Sequence, residues 1–560
     1  MTCTEPLSLS EIITEATRLT QDLLLILKQQ TAYLAGDQAH EAAKLETSKN
    51  ALRIERDKTF TILKELSVNN KPSNIEWQAL LELQKLDIEL TIGTLDNLIQ
   101  AEPENVELLY HRAIALMSIG RDQDAQQDFL HLLNQQPGHL GALIDFGNLL
   151  VNTGRQSAAE TLYAQAIISH PDQPKGYVNF ANLLQAQGES ALAKQYYLQA
   201  LNLDDSLAEA HQGLSYSLNS LGEEDLAAIH RKQGFQHHST MTWPSRGTQS
   251  AIPLMILSSA RGGNIALKHI LDERQFHSTL VFTEYFDQNL PFPDHQLVIN
   301  AIGDADLCQE ALLNAKQLLS KTSAPIINRP ERVLLTGRLD NTIRLGKLPG
   351  VITARSVLIS KVASISEVIA NLENAGISFP FLVRSPGFHT GQFFEKVDTV
   401  DDLSKALTEL PGSSLIAIEL LDTGNAEGEW HKYRVMSVAG ELYPLHLAIS
   451  KYWKVHYYSA NMNDQPKSRK KEEAFLHDMV SVLGNNVLST LKNIACELQL
   501  DYFGMDFAVN EDNGEVYLFE ANATMIIPTL ENNEEYQYRQ LATSKVQSAV
   551  RNMINNRLNS

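Results

Sequence analysis

The spacing of apolar and polar positions divides the chain into a helical N-terminal part and a C-terminal part that alternates strands and helices. In the first part, apolar residues recur every three to four positions, as in Ile12, Ile13, Ala16, Leu19, Leu23, Leu24 and Leu27. This spacing is typical of one face of an α-helix. Short apolar runs at 252–260, 278–285, 295–306 and 324–328 then predict strands, and a helical segment at 308–321 interrupts them. Strands that alternate with helices indicate an α/β domain.

Several kinds of residue recur every 34 positions between about residues 70 and 236. The repeated set comprises Gly120, Gly154, Gly188 and Gly222; Pro103, Pro137 and Pro171; Ala125, Ala159, Ala193 and Ala227; Phe129, Tyr163 and Tyr197; and the small residues Ala113, Gly147, Ala181 and Ser215. A glycine suits the left-handed residue that ends a helix, and a proline follows the point where a helix stops. The repeat therefore predicts a stack of helical hairpins in which a small residue allows each pair of helices to approach closely.

This pattern resembles the tetratricopeptide repeat, whose period is 34 residues. The resemblance implies an array over residues 69–236 that binds a peptide or protein partner in its groove or forms a homodimer. Residues 72–105 are interpreted as a degenerate first copy, with Leu86 in place of the glycine. Residues 1–68 are expected to form a separate helical region. Residues 237–250 lack a helical period and contain Pro244 and Gly247, so we expect a linker.

The segment Asp501–Met525 carries the clearest candidate chemistry. Apolar residues alternate on both sides of a turn, which predicts a β-hairpin, and Asp506, Glu520 and Asn522 interrupt them. A two-residue Asn513–Gly514 loop would send Asp506 to the face opposite Glu520. A three-residue loop, Asp512–Gly514, would pair the two carboxylates directly.

In the second register, two unpaired carboxylates and an amide oxygen would need a cation, and oxygen ligands suit Mg²⁺. An exposed strand face with scattered polar residues is the alternative.

The sequences FGMDF and FEANATM on this hairpin resemble the metal-binding end of ATP-grasp carboxylate–amine ligases of the glutathione synthetase type. The resemblance extends over about residues 251–550. It implies an α/β domain at 251–335 and an α+β ATP-grasp domain at 336–560, both following the all-α helical-hairpin array. In this family the matching residues, Asp506, Glu520 and Asn522, hold Mg²⁺, or Mn²⁺ in its place, against the phosphates of ATP.

The resemblance also implies an ATP site. Arg338 matches a basic phosphate contact, Arg384 takes the position of the family's lysine, and Arg434 matches an arginine that faces the reacting phosphate. Arginine in place of lysine keeps the charge and can bind phosphate in a bidentate manner. The other implied nucleotide contacts are Gly387 and Gly391 for the phosphates, Glu419, Leu420 and Leu421 for the base, and Asp422 or Glu427 for the ribose.

A cationic and aromatic segment follows, at Ser450–Met462. Lys454 and His456 lie in it, and His446 stands roughly where relatives carry a basic substrate contact. These three residues would suit a carboxylate or acyl phosphate. The alternative is an aromatic loop packed on the core.

Composition narrows the classes of function. The 560 residues are expected to form two to four domains, and 46 basic against 67 acidic residues give a net charge of −21. This charge disfavours nucleic-acid binding. The three cysteines, Cys3, Cys308 and Cys496, exclude a disulfide framework and a cysteine-based zinc site. Neither a signal peptide nor a membrane span is apparent, so we expect a cytoplasmic protein without membrane partners.

The sequence therefore predicts an ATP- and Mg²⁺-dependent ligase that activates a carboxylate of a small molecule or peptide as an acyl phosphate and joins it to an amine. Arg434 and Arg384 are the predicted catalytic charge stabilisers. Two alternatives stay open: a kinase that phosphorylates a hydroxyl group, and a non-catalytic adaptor that senses a nucleotide.

Overall fold

The computed structural model describes residues 12, 14–23, 52–53, 56, 74–243, 245–246, 251–388, 391–455, 462, 465–525, 527 and 534–559, with backbone alone for 74–86 and 269. Residues 14–23 are helical, and Ala16, Leu19 and Leu23 are buried in them, as the spacing predicts. Most of the predicted N-terminal helical region lies outside the described residues.

Helical hairpins follow one another through the repeat region. The helices are α1 (Asn74–Ala101), α2 (Val106–Ser118), α3 (Asp122–Gln135), α4 (Leu140–Asn152), α5 (Gln156–Ser169), α6 (Pro174–Ala186), α7 (Ser190–Leu203), α8 (Ala208–Ser220) and α9 (Glu224–Phe235). Gly120, Gly154, Gly188 and Gly222 occupy the turns at φ between 76° and 86°. They are the left-handed helix ends that the 34-residue period predicts.

The small residue at Gly147 allows α4 and α5 to pack closely. A Cβ atom at this position would lie 2.4 Å from Cε1 of Tyr163, a buried residue on α5. The Tyr163 hydroxyl donates to Oδ1 of Asn148 at 2.7 Å, which fixes the ring against α4. The predicted role of this repeat position is confirmed.

The predicted degenerate first repeat is wrong in its local structure. Residues 74–101 form one continuous helix instead of a hairpin. With Leu86 at the turn position, the chain has no glycine there to adopt the left-handed conformation, and a side chain in that conformation costs about 1–2 kcal/mol.

In the part of the chain that the structure describes, three sheets follow the array. The strands are β1 (Thr240–Trp243), β2 (Ile252–Ser258), β3 (Phe276–Phe282), β4 (Leu297–Asn300), β5 (Ile326–Ile327), β6 (Val351–Thr353), β7 (Ser356–Ser360), β8 (Phe381–Arg384), β9 (Phe394–Val397), β10 (Ser414–Glu419), β11 (Trp430–Val438), β12 (Glu441–Ser450), β13 (Tyr502–Val509) and β14 (Val516–Asn522). Their orders are β1-β3-β2-β4-β5, β7-β10-β8-β9 and β12-β11-β13-β14-β6.

Helices alternate with these strands. They are α10 (Gln309–Leu319), α11 (Pro330–Val333), α12 (Arg338–Leu345), α13 (Ile365–Asn374), α14 (Val400–Glu409), α15 (Pro466–His477), α16 (Met479–Leu498) and α17 (Arg539–Leu558). In the first sheet β2, β4 and β5 run parallel, whereas β11, β13 and β14 pair antiparallel. The predicted fold class, an all-α hairpin array followed by α/β and α+β regions, is confirmed.

The stretch predicted to be a linker contains a strand. Thr240–Trp243 forms β1 at the edge of the first sheet beside β3. Its β-branched and aromatic residues favour extended backbone, and its exposed side chains suit an edge position. The absence of a helical period was therefore a poor indicator of an unstructured linker.

Contacts group the chain into two compact units. The first comprises Met1–Gly213, Trp243–Ile252 and Asp272–Ser278, and the second Leu214–Thr242, Pro253–Leu271 and Thr279–Ser560. Helix α9, which closes the repeat array in sequence, therefore belongs to the unit that contains most of the sheets. The domain boundaries predicted from sequence stay predictions. Among the described helices, none combines the length and apolar character needed to cross a membrane.

Adding a methyl group at Gly147 tests the close helix packing. Gly147→Ala should lower the free energy of unfolding by about 1–3 kcal/mol, because the new Cβ overlaps the Tyr163 ring. Gly138→Ala is the control, since its Cβ would lie 3.7 Å from Ser169, an ordinary contact distance. Urea unfolding followed by far-ultraviolet circular dichroism measures both. Equal midpoints for the two variants would contradict this packing role.

Candidate active site

Four polar residues form one row across the last sheet. His446 on β12 is opposite Arg434 on β11, Arg434 is opposite Asp506 on β13, and Asp506 is opposite Glu520 on β14. Because laterally paired residues share a face of a sheet, the four side chains lie on the same face. The row unites the predicted substrate, catalytic and metal residues His446, Arg434, Asp506 and Glu520.

The carboxylate of Asp506 is buried between two cations. Nε and Nη2 of Arg434 donate to Oδ1 and Oδ2 at 2.6 and 2.8 Å, and Nζ of Lys432 lies 3.1 Å from Oδ2. Burial alone would raise the pKa of Asp506, but Arg434 and Lys432 outweigh it and hold that pKa well below its ordinary value. Asp506 is therefore ionised at neutral pH.

This arrangement corrects the argument made from sequence. The two carboxylates were expected to be unpaired and thus to need a metal ion. Arginine and lysine side chains pair them instead: Arg434 and Lys432 contact Asp506, and Arg338 contacts Glu520.

His446, at the other end of the row, is neutral at physiological pH. The residue is 1% exposed. Burial, followed by the charge of Arg434, lowers the pKa of His446 well below its ordinary value. An uncharged imidazole departs from the basic substrate contact predicted here, although the residue does lie beside the predicted cluster.

A β-bulge, and not the predicted turn, places Asp506 opposite Glu520. The loop has four residues, Glu511–Gly514, between Asn510 and Glu515, which are joined by a hydrogen bond of 2.9 Å. Phe507 pairs with Leu518 but Asp506 pairs with Glu520, so Phe519 is an extra residue on β14. Of the two pairings considered from sequence, the one that places Asp506 opposite Glu520 is observed. Neither loop length considered is observed, because the bulge shifts the register by one residue.

Glu520 connects the sheet to the start of α12. Its Oε1 accepts from Nη2 of Arg338 at 2.5 Å and from Nδ2 of Asn522 at 2.6 Å. The backbone N–H of Arg338 donates to the carboxylate of Asp306, with oxygen distances of 3.2 and 3.3 Å. Burial lowers the pKa of Arg338, but Glu520 and Asp306 more than offset this effect, so Arg338 stays charged.

Arg384 is a buried cation at the end of β8. Its guanidinium donates to the carbonyl of Phe388, while its Nε is buried with no hydrogen-bond partner in the described part of the chain. Burial, with repulsion from Arg338, lowers the pKa of Arg384 to about 9, which still leaves it charged at neutral pH. An incompletely satisfied buried guanidinium is a candidate for binding an anion.

Lys454 approaches the loop between β8 and β9, which follows Arg384. Its Nζ donates to the carbonyl of Phe394 at 2.9 Å, and a Cβ at Gly391 would lie 3.2 Å from its Cε. The Phe394 ring lies 5.7 Å from the Arg384 guanidinium and 5.8 Å from the Lys454 ammonium. The predicted residues Arg384, Gly391 and Lys454 therefore converge. Gly387, at φ 78°, belongs to the same loop, and His456 lies outside the described residues.

The predicted nucleotide hinge connects two sheets. Strand β10 ends at Glu419, and residues Leu420, Leu421 and Asp422 lead without regular structure toward β11. The Glu419 carboxylate accepts from Nε of Arg355 at 2.9 Å, which lowers its pKa.

Two predicted ribose contacts follow the hinge, and both have local partners. Oδ1 of Asp422 accepts from the Gly424 N–H at 3.1 Å, and Glu427 pairs with Lys471 at 3.0 Å.

The donor atoms for a divalent ion are present but occupied. Asp506 and Glu520 offer carboxylate oxygens on one sheet face, whereas Oδ1 of Asn522 accepts from the Thr524 backbone and hydroxyl. Within the described residues, no group of three or more His, Cys, Asp or Glu is arranged to hold a metal ion. The oxygen set suits Mg²⁺ chemically, provided that Arg434, Lys432 and Arg338 exchange their contacts when it binds.

A cavity of about 300 Å³ lies beside other residues of the last sheet. None of the predicted site residues lines it. On β11 its lining positions alternate with Lys432 and Arg434, so they face the opposite side of the sheet. The lining residues are Thr423, Asn425, His431, Tyr433, Val482, Leu483, Val487, Ala508, Val509, Asn510, Glu511 and Gly514.

Three residues of the site escaped prediction. Lys432 precedes Arg434 by two positions on a strand, and this period-two spacing was a usable signal. Asp306 follows β4, at the strand end where α/β sheets place their ligands. Phe394, between two cations, gave no comparable signal, because its role depends on the approach of Lys454.

Comparison with known families and structures identifies one repeat. Residues 174–206 match the tetratricopeptide repeat family model. This segment contains α6, α7 and their left-handed Gly188. No curated protein matches the chain.

Solved structures resemble each half. The protein MamA is 20% identical to this chain over 27% of this chain and 89% of its own length, with a TM-score of 0.25. MamA from Desulfovibrio magneticus RS-1 is 19% identical over 30% of this chain and 96% of its own length, also with a TM-score of 0.25.

The D-alanine-D-alanine ligase from Coxiella burnetii is 12% identical over 55% of this chain and 95% of its own, with a TM-score of 0.35. D-alanyl-alanine synthetase A from Vibrio cholerae O1 is 13% identical over 55% of this chain and 99% of its own length, with a TM-score of 0.36.

Removing Arg434 tests the dependence of the row on its central ion pair. Arg434→Met should lower the free energy of unfolding by about 3 kcal/mol, because Asp506 would stay buried with Lys432 as its remaining partner. Lys432→Met should have a smaller effect, since Arg434 keeps both hydrogen bonds. Urea unfolding at pH 7 measures each change.

Arg355→Met is the matched control, because Arg355 also pairs with a carboxylate but is 57% exposed. Solvent screens such a pair, so little change in stability is expected. A loss for Arg434→Met no greater than that for Arg355→Met would contradict the central role of the buried pair.

Proposed function

We propose that the protein is an ATP- and Mg²⁺-dependent carboxylate–amine ligase that forms ADP. The observation that carries the proposal is the convergence of Arg338 and Arg434 on the two carboxylates of one sheet row. Lys432 contacts the same row, and the charge of Glu520 acts on Arg384. Cations held this closely suit a substrate that brings several negative charges, as a nucleoside triphosphate does.

Asp506, Glu520 and Asn522 are the residues that would hold the metal ion. When bound, Mg²⁺ supplies charge neutralisation between phosphate oxygens. Asp506 is suited to this role because it is ionised at neutral pH. Ligand phosphates would then offer Arg434 and Arg338 new anionic partners in exchange for the carboxylates.

The cations have separate tasks in this proposal. Arg384, with its Nε available, and Arg338 at the start of α12 would bind the phosphates, helped by backbone N–H groups near Gly387 and Gly391. Glu419, Leu420 and Leu421 would meet the base, and Asp422 or Glu427 the ribose. Positioning and charge stabilisation of this kind supply most of the catalysis in phosphoryl transfer.

The chemistry then follows in two steps. A substrate carboxylate oxygen attacks the γ-phosphorus, the bond to the β-phosphate oxygen breaks, and an acyl phosphate and ADP result. An amine nitrogen attacks the acyl carbon, inorganic phosphate leaves, and the amide nitrogen loses one proton. Arg434 and Lys432 would stabilise charge on the transferred phosphoryl group. Lys454, with His456, would hold the acceptor, and neutral His446 would help to shape its site.

A non-catalytic nucleotide sensor is the second candidate. The favouring observation is that Arg434 and Lys432 already neutralise Asp506, so this protein does not need a metal ion to keep the carboxylate buried. In either case, we propose that the repeat array binds a peptide or protein or joins two copies of the chain.

Loss of phosphate release on substitution of the carboxylates tests the ligase. The full chain is incubated with ATP, Mg²⁺ and pooled carboxylates and amines, and free phosphate and product masses are measured. Asp506→Asn and Glu520→Gln should each reduce phosphate release at least about 100-fold, because each removes a charge from the metal and phosphate site. Asp512→Asn, in the turn of the same hairpin, is the control and should retain the rate.

Product analysis separates the candidates. A ligase gives ADP, free phosphate and an amide, whereas a kinase gives ADP and a phosphorylated product without free phosphate. A sensor binds ATP without turnover. Phosphate release that survives both substitutions would argue against the proposed site.

A further inference from the structure

The last turn of the repeat array differs from its equivalents in what it contacts. Gly222, between α8 and α9, has φ 80°. A Cβ there would lie 2.6 Å from Cβ and 3.0 Å from Cγ of Pro411, and 3.8 Å from Cζ of Phe393. Among the equivalent left-handed turns, a Cβ at Gly120 would lie 3.1 Å from the carbonyl oxygen of Arg246. At Gly154 and Gly188, no atom of the described residues lies within 4 Å of the corresponding point. The last turn therefore contacts another structural element closely.

Pro411 and Phe393 hold the strand end that carries Arg384. The next residue, Ser385, is fully buried. Its hydroxyl donates to the carbonyl of Pro411 at 2.8 Å, and its backbone N–H donates to the carbonyl of Phe393 at 3.1 Å. Both residues beside Gly222 are thus one hydrogen bond away from the neighbour of Arg384.

Contacts of α9 anchor the same turn to the first sheet. Glu224, two residues after Gly222, pairs with Arg261 at 2.6 Å, just beyond the end of β2. At the other end of α9, the buried Phe235 ring lies 4.5 Å from that of Phe282 on β3 and 5.9 Å from that of Tyr285. The turn is therefore held by the first sheet on one side and contacts Pro411 on the other.

We propose that α8, α9 and the turn at Gly222 form a positioning brace for the loop that follows Arg384. Close-packed groups transmit small displacements, and a Cβ at Gly222 would fit only if Pro411 moved. The brace would hold the four-stranded sheet β7-β10-β8-β9, and with it Arg384, at a set distance from the first sheet. The last hairpin of the array thus contributes directly to the geometry of the anion site, in addition to any partner that the array binds. This inference does not depend on whether the chemistry is ligation.

Amide hydrogen exchange of the full chain tests the brace with a matched pair of variants. Gly222→Ala and Gly188→Ala each place a methyl group at positive φ, so each strains its own turn similarly. Gly222→Ala should speed exchange at residues 381–385 and 394–397 at least about threefold, because it displaces Pro411. Gly188→Ala should leave exchange there unchanged. Equal exchange in these strands for the two variants would overturn the proposal.

A double substitution shows whether the effect passes through Pro411. Pro411→Gly removes both proline atoms nearest to Gly222, so Gly222→Ala should change exchange far less in that background than in the parent. Additive effects would also overturn the proposal. If Gly222→Ala does not fold, Gly222→Asn and Gly188→Asn replace the pair, because asparagine tolerates the left-handed conformation better.

Discussion

The bidentate pair between Arg434 and Asp506 is the interaction on which the candidate site depends. It lies at the centre of a row that runs across four strands, and it exists because the register between β11 and β13 places Arg434 opposite Asp506. A shift of one residue would turn Asp506 toward the opposite face of the sheet. A buried carboxylate without its cation would then destabilise the sheet. The same register thus supports both the fold and the grouping of charges.

Charge is distributed unevenly in this acidic chain. The net charge is −21, yet Arg338, Arg434 and Lys432 all contact the carboxylates of the row or its neighbours. These three cations act as counter-ions for the carboxylates of Asp506 and Glu520. A polyanionic ligand with a divalent ion could replace those internal pairs without leaving a buried charge unpaired. The proposed ATP site is therefore compatible with a stable protein before any ligand binds.

Close approaches at glycines occur within the helical repeats and also between the last repeat turn and the region of the site. Gly147 and Gly222 both permit contacts that a Cβ would obstruct, but with different consequences. At Gly147 the contact is between neighbouring helices of the array. At Gly222 it is with Pro411, next to the loop that follows Arg384. The last hairpin of the array is thereby suited to a second, local role.

Much of the architecture followed from local chemistry in the sequence. The 34-residue glycine period determined the left-handed turns at Gly120, Gly154, Gly188 and Gly222, because glycine adopts that conformation without a Cβ clash. Alternating apolar residues determined the hairpin that carries Asp506 and Glu520. The continuous helix α1 and the edge strand β1 were not predicted, since the first depends on a missing glycine and the second on pairing with a distant strand.

The tertiary structure decided which residues from distant parts of the chain contact one another. From the period-two alternation of side chains, the sequence alone specified that acidic and basic residues lie on strands β11, β13 and β14. Only the folded chain shows that a bulge at Phe519 aligns Asp506 with Glu520, that Lys432 and Arg434 supply their counter-charges, and that Gly222 meets Pro411. These contacts join segments far apart in sequence, and neither spacing nor composition encodes which distant residues will meet.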